Sequence, residues 1–345
     1  MTPERPRRHV FFVGATGTIG RATVHALRAR GHRVTCLVRA RPGRAPQAAA
    51  LGLPDDVALR AGDLTEPASI ERDGFRGEPF DALVSCLASR TGEPRDAWAI
   101  DHRAQCDVLA AARRAGVSQV VALSAICVQK PMLAFQHAKL AFERELAGCG
   151  VDWTVVRPTA FFKSLSGQVE RVRRGAPFVV FGDGTLTACK PIADADLAAY
   201  LADCLDEPER RNRVLPIGGP GPAITPREQG ERLFELLGRR PRFRRVPVGV
   251  LDAAIAVLGA GGRWAPGLAA RAELARIGRY YATESMLVLD PVTGRYDACA
   301  TPSTGTRTLT EHYAQLLAGQ ASADLGEHAV FDARRSARPR RQTAP

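Results

Sequence analysis

The stretch "GATGTIG" (14–20) is the first in the chain whose residue types and spacing could do chemistry. It closes a strand-like run, "HVFFVGA" (9–15), and opens a helical one, the setting in which spaced glycines receive a dinucleotide. Gly14 permits the tight turn, Gly17 lets the backbone approach a pyrophosphate, and Gly20 allows close packing of helix on strand. Thr16 belongs to the same turn, and the amides of Thr18 and Ile19 point at the phosphates from the helix N-terminus. The next strand-like run ends at Arg39, where an acid would hold ribose hydroxyls and repel a 2′-phosphate. A guanidinium pairs with that phosphate in bidentate fashion, so NADPH is the expected cofactor, with Arg41 and Arg44 as helpers. Asp63 in "GDL" (62–64) can accept from the adenine amino group and Leu64 can pack on its ring. Leu87 and Ala88 in "CLAS" (86–89) pass beside the adenine-side ribose, and Pro158, closing a later strand, completes the expected cofactor contacts.

A second set lies in "SAICVQKPMLAFQHAKL" (124–140), where Ser124 is followed by Phe135 after eleven residues and by Lys139 after four more. Of 48 basic residues only four are lysine, namely Lys130, Lys139, Lys163 and Lys190, all within one 61-residue window. Arginine stays charged and planar, whereas lysine is a compact donor whose pKa can be lowered. A chain that otherwise writes arginine is expected to need ammonium groups there, with chance clustering as the alternative reading.

The elements that must position these residues alternate through the first 160 residues as short β-branched runs and helical stretches. Strands are predicted at 9–15, 33–39, 57–63, 81–88, 118–125 and 152–158, and helices at 19–31 and 102–116, each closed by a glycine. The fold class is therefore α/β: a doubly wound parallel-sheet Rossmann domain over 8–158, completed by a strand near 213–218. A smaller α+β substrate lobe at the carboxyl edge of the sheet takes most of 159–318. Within it, "VGVLDAAIAVLGAG" (248–261) is apolar on most faces and reads first as a core helix, second as a membrane-surface or substrate-entry element. Residues 320–345 form a polar, arginine-rich tail expected to be disordered.

The eight cysteines are scattered, with no CxxC pair and no histidine cluster at ligand spacing, so no metal site is expected and the thiols are read as free and buried. A net charge of +12 invites nucleic acid, but no recognition motif accompanies it and much of the excess lies in "RRSARPRRQ" (334–342). No nucleic-acid partner is expected; a weak peripheral attraction to an anionic membrane surface is admitted. No apolar run has the roughly 20 residues of a spanning helix, and the first strand-like run starts after eight residues, from which we expect no leader and a bacterial cytoplasmic protein.

These features resemble the atypical short-chain dehydrogenase/reductase superfamily, over about residues 9–318. Within it the chain is similar to the NADPH-dependent divinyl chlorophyllide a 8-vinyl-reductase family of chlorophyll and bacteriochlorophyll synthesis. The blocks carrying the likeness are "VSCLASRTGEPRDAWAIDHRAQ" (84–105), "LSAICVQKPMLAFQHAKLAFE" (123–143), "VRPTAFFKSLSGQVE" (156–170), "VFGDGTLTACKPI" (180–192), "VLPIGGPGPAITPREQGE" (214–231) and "IGRYYATESMLVLDPVTGRYD" (277–297). The resemblance implies reduction of an 8-vinyl group to ethyl on a divinyl magnesium chlorin, with no metal beyond the substrate's own, and a place in the cytoplasm or peripheral to the photosynthetic membrane.

The superfamily pattern has a tyrosine where this chain has Phe135. That tyrosine protonates a carbonyl oxygen, and a vinyl group has none, so a phenol at 135 is dispensable. Lys139 is expected to bind the nicotinamide ribose and stabilise negative charge, and Ser124 to line the nicotinamide pocket. Lys163 is preferred as proton donor, with Tyr280, Tyr281 and water as alternatives. Met132, Phe135, Phe161, Phe162 and Phe181 are candidate walls for a flat macrocycle, and Lys130, Lys163 and Lys190 candidate partners for its propionate. Two other readings are a non-catalytic NADPH-sensing or assembly protein, favoured by Phe135 and opposed by Lys139, and another double-bond reductase of the branch, opposed by the long matching blocks. The preferred pigment and the oligomeric state are left open.

Overall fold

The computed structural model describes residues 7–39, 45–90, 92–261 and 265–320. Arg41, Arg44 and all but the first residue of the predicted tail lie outside the described residues.

A seven-stranded parallel sheet runs in the order β3-β2-β1-β4-β5-β6-β8. Its strands are β1 (His9–Val13), β2 (Arg33–Arg39), β3 (Ala58–Gly62), β4 (Ala82–Ser85), β5 (Gln119–Leu123), β6 (Asp152–Pro158) and β8 (Arg213–Ile217). Every predicted strand is present, β2 and β6 with the predicted bounds and the others shorter. The central runs are apolar at successive positions rather than alternate ones, because helices cover both faces of a parallel sheet. Val10, Phe11, Phe12 and Val13 of β1 are all at zero exposure. Val10 and Phe12 join one core with Val24 and Leu27 of helix Thr18–Ala29 and Leu197 and Leu201 of helix Asp194–Asp206. Phe11 and Val13 join the other with Val108 of helix Gln105–Arg114 and Phe142 and Leu146 of helix Ala134–Ala147.

The chain order reverses between β1 and β4, and open sheets of this kind bind ligands in the crevice outside the strands' carboxyl ends at such a switch. Two devices set helix Thr18–Ala29 there. Gly14 has φ +85°, and a Cβ on it would clash with the Cys86 carbonyl after β4; a Cβ on Gly20 would clash with the Gly14 carbonyl. Strand and helix can therefore meet only with glycine at both places.

Beyond β6 a third cluster forms a second body around Phe162, Val172, Leu233 and Tyr313. It includes a parallel pair that the sequence did not reveal in full, β7 (Phe178–Phe181) with β9 (Phe243–Val246). The expected core helix is a correction: helix Gly249–Gly261 has no buried residue, and Val257 is 72% exposed. It packs along helix Pro266–Thr283, so one partner shields a helix that is apolar all round. The thiols are all free, but only five are buried; Cys86 and Cys106 are half-buried and Cys299 is exposed.

Candidate functional site

The site is built at the carboxyl ends of β1 to β6. Gly17 caps helix Thr18–Ala29 with φ −75°, a conformation open to any residue. A Cβ there would meet nothing nearer than the Gly14 carbonyl at 3.5 Å. The protein itself gives no reason for glycine at 17, in contrast to 14 and 20. Space left in front of helix-terminal amides is what a pyrophosphate requires, so the turn fits the expected dinucleotide. Thr16 and Gly17 are exposed beside it and Thr18 is half-buried, while Ile19 anchors the turn in the core.

Arg39 ends β2 exposed, in register with Gly62 of β3. Asp63 follows directly, its Oδ1 accepting from the Thr65 amide at 2.8 Å and hydroxyl at 2.7 Å, which with the charge of Arg39 holds its carboxyl below the ordinary carboxylate range. Leu64 and Leu87 are half-buried against the second core and Ala88 is exposed, so this edge offers one cation, one acid and apolar surface in sequence. Pro158 ends β6, buried.

The lysine of the second set is held by a residue that sequence reasoning missed. Lys139 is 8% exposed and its Nζ lies 2.9 Å from Oδ1 of Asp101, itself at zero exposure. Asp101 also accepts from the Ser89 amide at 3.2 Å and the Ser89 hydroxyl at 2.5 Å, which links the loop after β4 to helix Ala134–Ala147. One helical turn beyond Lys139, Glu143 pairs with Arg157 of β6 and accepts the Ser124 hydroxyl. Ser124 is thus 8% exposed with its hydroxyl turned onto a carboxylate, a correction to its expected place as a side chain lining the pocket. The i, i+4 spacing of Phe135, Lys139 and Glu143 was the available signal that one helix face serves the site.

The expected proton donors separate. Lys163 Nζ donates to Thr18 Oγ1 at 2.9 Å, beside the glycine turn. Tyr280 is 3% exposed with its hydroxyl 2.8 Å from the Cys127 carbonyl and 3.0 Å from the Lys130 carbonyl, a structural tie rather than a substrate contact. Tyr281 differs: the residue is 44% exposed, while its hydroxyl turns inward to Cys127 Sγ at 3.9 Å. Burial raises that phenol well above its ordinary pKa, and Cys127 lies within the field of Lys139. Burial also pushes the Cys86 thiol up to about 12, so it stays protonated.

Among the wall candidates, Phe162 is 4% exposed inside the third cluster and is core, which corrects its assignment. Phe135, Phe161 and Phe181 are half-buried and Met132 is exposed. A Cβ at Gly92 would lie 2.8 Å from Ile277 Cδ1 and 3.9 Å from Phe135, so the loop at Gly92 lies between helix Pro266–Thr283 and Phe135. Lys130 pairs with Glu284 at 2.8 Å, and Lys190 donates to the Thr301 carbonyl at 2.8 Å and Ser303 at 3.2 Å. No group of three or more metal-ligating side chains is found among the described residues.

The arrangement offers a dinucleotide cleft with a held ammonium, a protonated phenol and an apolar end. Residues 14–208 match a family model described as NAD(P)H-binding. The chain is 50% identical over 335 residues to a chloroplastic divinyl chlorophyllide a 8-vinyl-reductase of Zea mays, covering 93% of this chain and 82% of the relative. It is 48% identical over 333 residues to the chloroplastic protein of that name from Cucumis sativus, covering 94% and 80%. Among solved structures, an NADPH-dependent quinone oxidoreductase of Escherichia coli in complex with NADPH superposes with a TM-score of 0.65 at 20% identity, over 89% of this chain and 99% of that one, a likeness of fold. Both relatives are named as chloroplastic, which overturns the expectation of a bacterial cytoplasmic protein. Among the described residues, no helix is long and apolar enough to cross a membrane.

Proposed function

The chain belongs to the divinyl chlorophyllide a 8-vinyl-reductase family, and from that premise we propose that it reduces the 8-vinyl group of divinyl chlorophyllide a, or a close divinyl magnesium tetrapyrrole, to ethyl with NADPH. It is an oxidoreductase acting on a CH=CH2 group in chlorophyll synthesis, and bacteriochlorophyll synthesis is the narrower extension of that reading. The observation that carries the reading is Phe135 one turn before a buried, carboxylate-held Lys139: the cofactor apparatus is in place and the carbonyl acid is not.

The sheet with its helices is assigned as the cofactor-binding unit, and the body built mainly from 159–318, apart from β8, as the substrate-binding unit. Gly14, Thr16, Gly17, Thr18, Ile19 and Gly20 hold the pyrophosphate and Arg39 the 2′-phosphate. Asp63 and Leu64 take the adenine, Leu87 and Ala88 its ribose, and Pro158 with the backbone at Ser124 borders the nicotinamide. When bound, NADPH would supply the hydride and the two electrons of the reduction, and the accompanying proton would come from a protein group or water. Lys139, kept in place by Asp101, binds the nicotinamide ribose and offsets developing negative charge.

The proton is assigned to the Tyr281 hydroxyl, which helix Pro266–Thr283 carries and turns onto Cys127 Sγ, rather than to a group on the helix that bears Phe135. Its raised pKa keeps it in the donor form, and its partner, a thiol at 3.9 Å, is a weak one that a substrate can displace. Phe135, Phe161, Phe181 and Met132 are assigned as apolar walls. Lys130, exposed beside Glu284, is assigned as the rim cation for the propionate, with Lys190 further committed to backbone. Incubating the purified protein with NADPH and divinyl chlorophyllide a tests the reading. Conversion to the monovinyl pigment is expected; unchanged pigment with cofactor demonstrably bound overturns it.

A further inference from the structure

We propose that Lys163 is a phosphate-binding residue, reaching from the segment after β6 to hold the cofactor's pyrophosphate over the turn at Gly17. The assignment rests on the dinucleotide reading of that turn and goes beyond it, because the turn by itself supplies only backbone. Lys163 lies on the short helix Phe162–Leu165, next to the buried Phe162 that fixes this segment in the second body's core. Its Nζ donates across to Thr18 Oγ1, 2.9 Å away and 145 residues distant in the chain. Thr18 is the first residue of helix Thr18–Ala29, directly after Gly17, where a Cβ would meet nothing nearer than 3.5 Å. The ammonium therefore stands beside the one place in the turn where space, amide hydrogens and helix polarity already favour an anion.

The surrounding charges agree. Asp194 heads helix Asp194–Asp206, and its Oδ1 is buried without a hydrogen bond. Desolvation raises its carboxyl above the ordinary range, with the charges of Lys163 and Arg21 opposing the rise. Two cations thus face one acid whose ionisation burial weakens, and the balance at the turn is positive. An ammonium has three donors, so Lys163 can serve Thr18 and a phosphate oxygen together.

Fluorescence titrations with NADPH, 2′-phospho-ADP-ribose and 2′-AMP on the full chain test the assignment. The second probe contains the pyrophosphate and the third lacks it. Lys163→Met should weaken NADPH and 2′-phospho-ADP-ribose by about 10- to 100-fold, the worth of a hydrogen bond to a charged group, and leave 2′-AMP unchanged. Lys163→Arg should restore most of the loss. Lys163→Gln keeps a donor for Thr18 without the charge: if it binds as weakly as Lys163→Met the phosphate role stands, and if it binds like the unaltered protein the lysine is only a tie to Thr18. Equal weakening of both fragments, or of neither, overturns the assignment. If the unaltered protein binds no NADPH, it is the dinucleotide reading that fails.

Discussion

Lys139 Nζ lies 2.9 Å from Asp101 Oδ1, and both side chains are almost wholly withdrawn from solvent. A lysine buried this deeply needs its counter-charge, and Asp101 in turn gathers the Ser89 amide and hydroxyl, so one carboxylate fixes both the ammonium and the loop after β4. Removing one member of a buried pair leaves the other charge stranded, at a cost of about 3–5 kcal/mol. Asp101→Ala should therefore lower the thermal midpoint, and Asp101→Ala with Lys139→Met should recover part of the loss because no charge is stranded. A double variant no more stable than Asp101→Ala alone would show that the pair is not coupled. Lys139→Met by itself should abolish turnover, and a near-normal kcat would remove the lysine from the chemistry.

Gly17 and Gly20 should respond oppositely to the same added methyl. Gly20→Ala puts a Cβ into the Gly14 carbonyl and should unfold or strongly destabilise the sheet's switch point, read as a fall in Tm. Gly17→Ala has room in the protein, so Tm should hold while the NADPH Kd rises, because the methyl enters the space assigned to the pyrophosphate. Tight NADPH binding by Gly17→Ala would place the phosphates elsewhere.

Arg39→Asp should raise the KM for NADPH sharply while affecting NADH much less, since an acid at the end of β2 repels a 2′-phosphate and can hold a ribose hydroxyl. Equal effects on the two cofactors would take Arg39 off the 2′-phosphate.

Tyr281→Phe should cut kcat by about 10²- to 10⁴-fold, the usual worth of a positioned acid, and leave NADPH binding intact. Burial keeps this phenol protonated above its ordinary range, so the unaltered enzyme's kcat should hold through moderately alkaline pH. Full activity in Tyr281→Phe would hand the proton to water.

The parallel sheet was legible because its strands are apolar on both faces and each is followed by a glycine-punctuated connection. The turn at Gly14–Gly20 was legible for a stricter reason: carbonyl contacts of Gly14 and Gly20 leave no other residue possible there. Helix Gly249–Gly261 misled, because a helix apolar all round looks the same in sequence whether or not other elements cover it. Lys163 and Thr18 stand 145 residues apart and meet only when the second body folds over the turn, so no local pattern announced their contact. Asp101 was hidden likewise, in a π-helical segment at Trp98–Ala104, where the 3.6-residue spacing that marks an inward face does not apply.

The proton and the hydride can be told apart by isotope. NADPH carrying deuterium on the transferring face of nicotinamide C4, incubated with the protein and divinyl chlorophyllide a in ordinary water, should give a monovinyl pigment whose 8-ethyl group holds one deuterium. The same reaction with unlabelled NADPH in deuterated water should place one deuterium on the other carbon. Reduced pigment with no label from either C4 face of NADPH would contradict direct hydride transfer at this site.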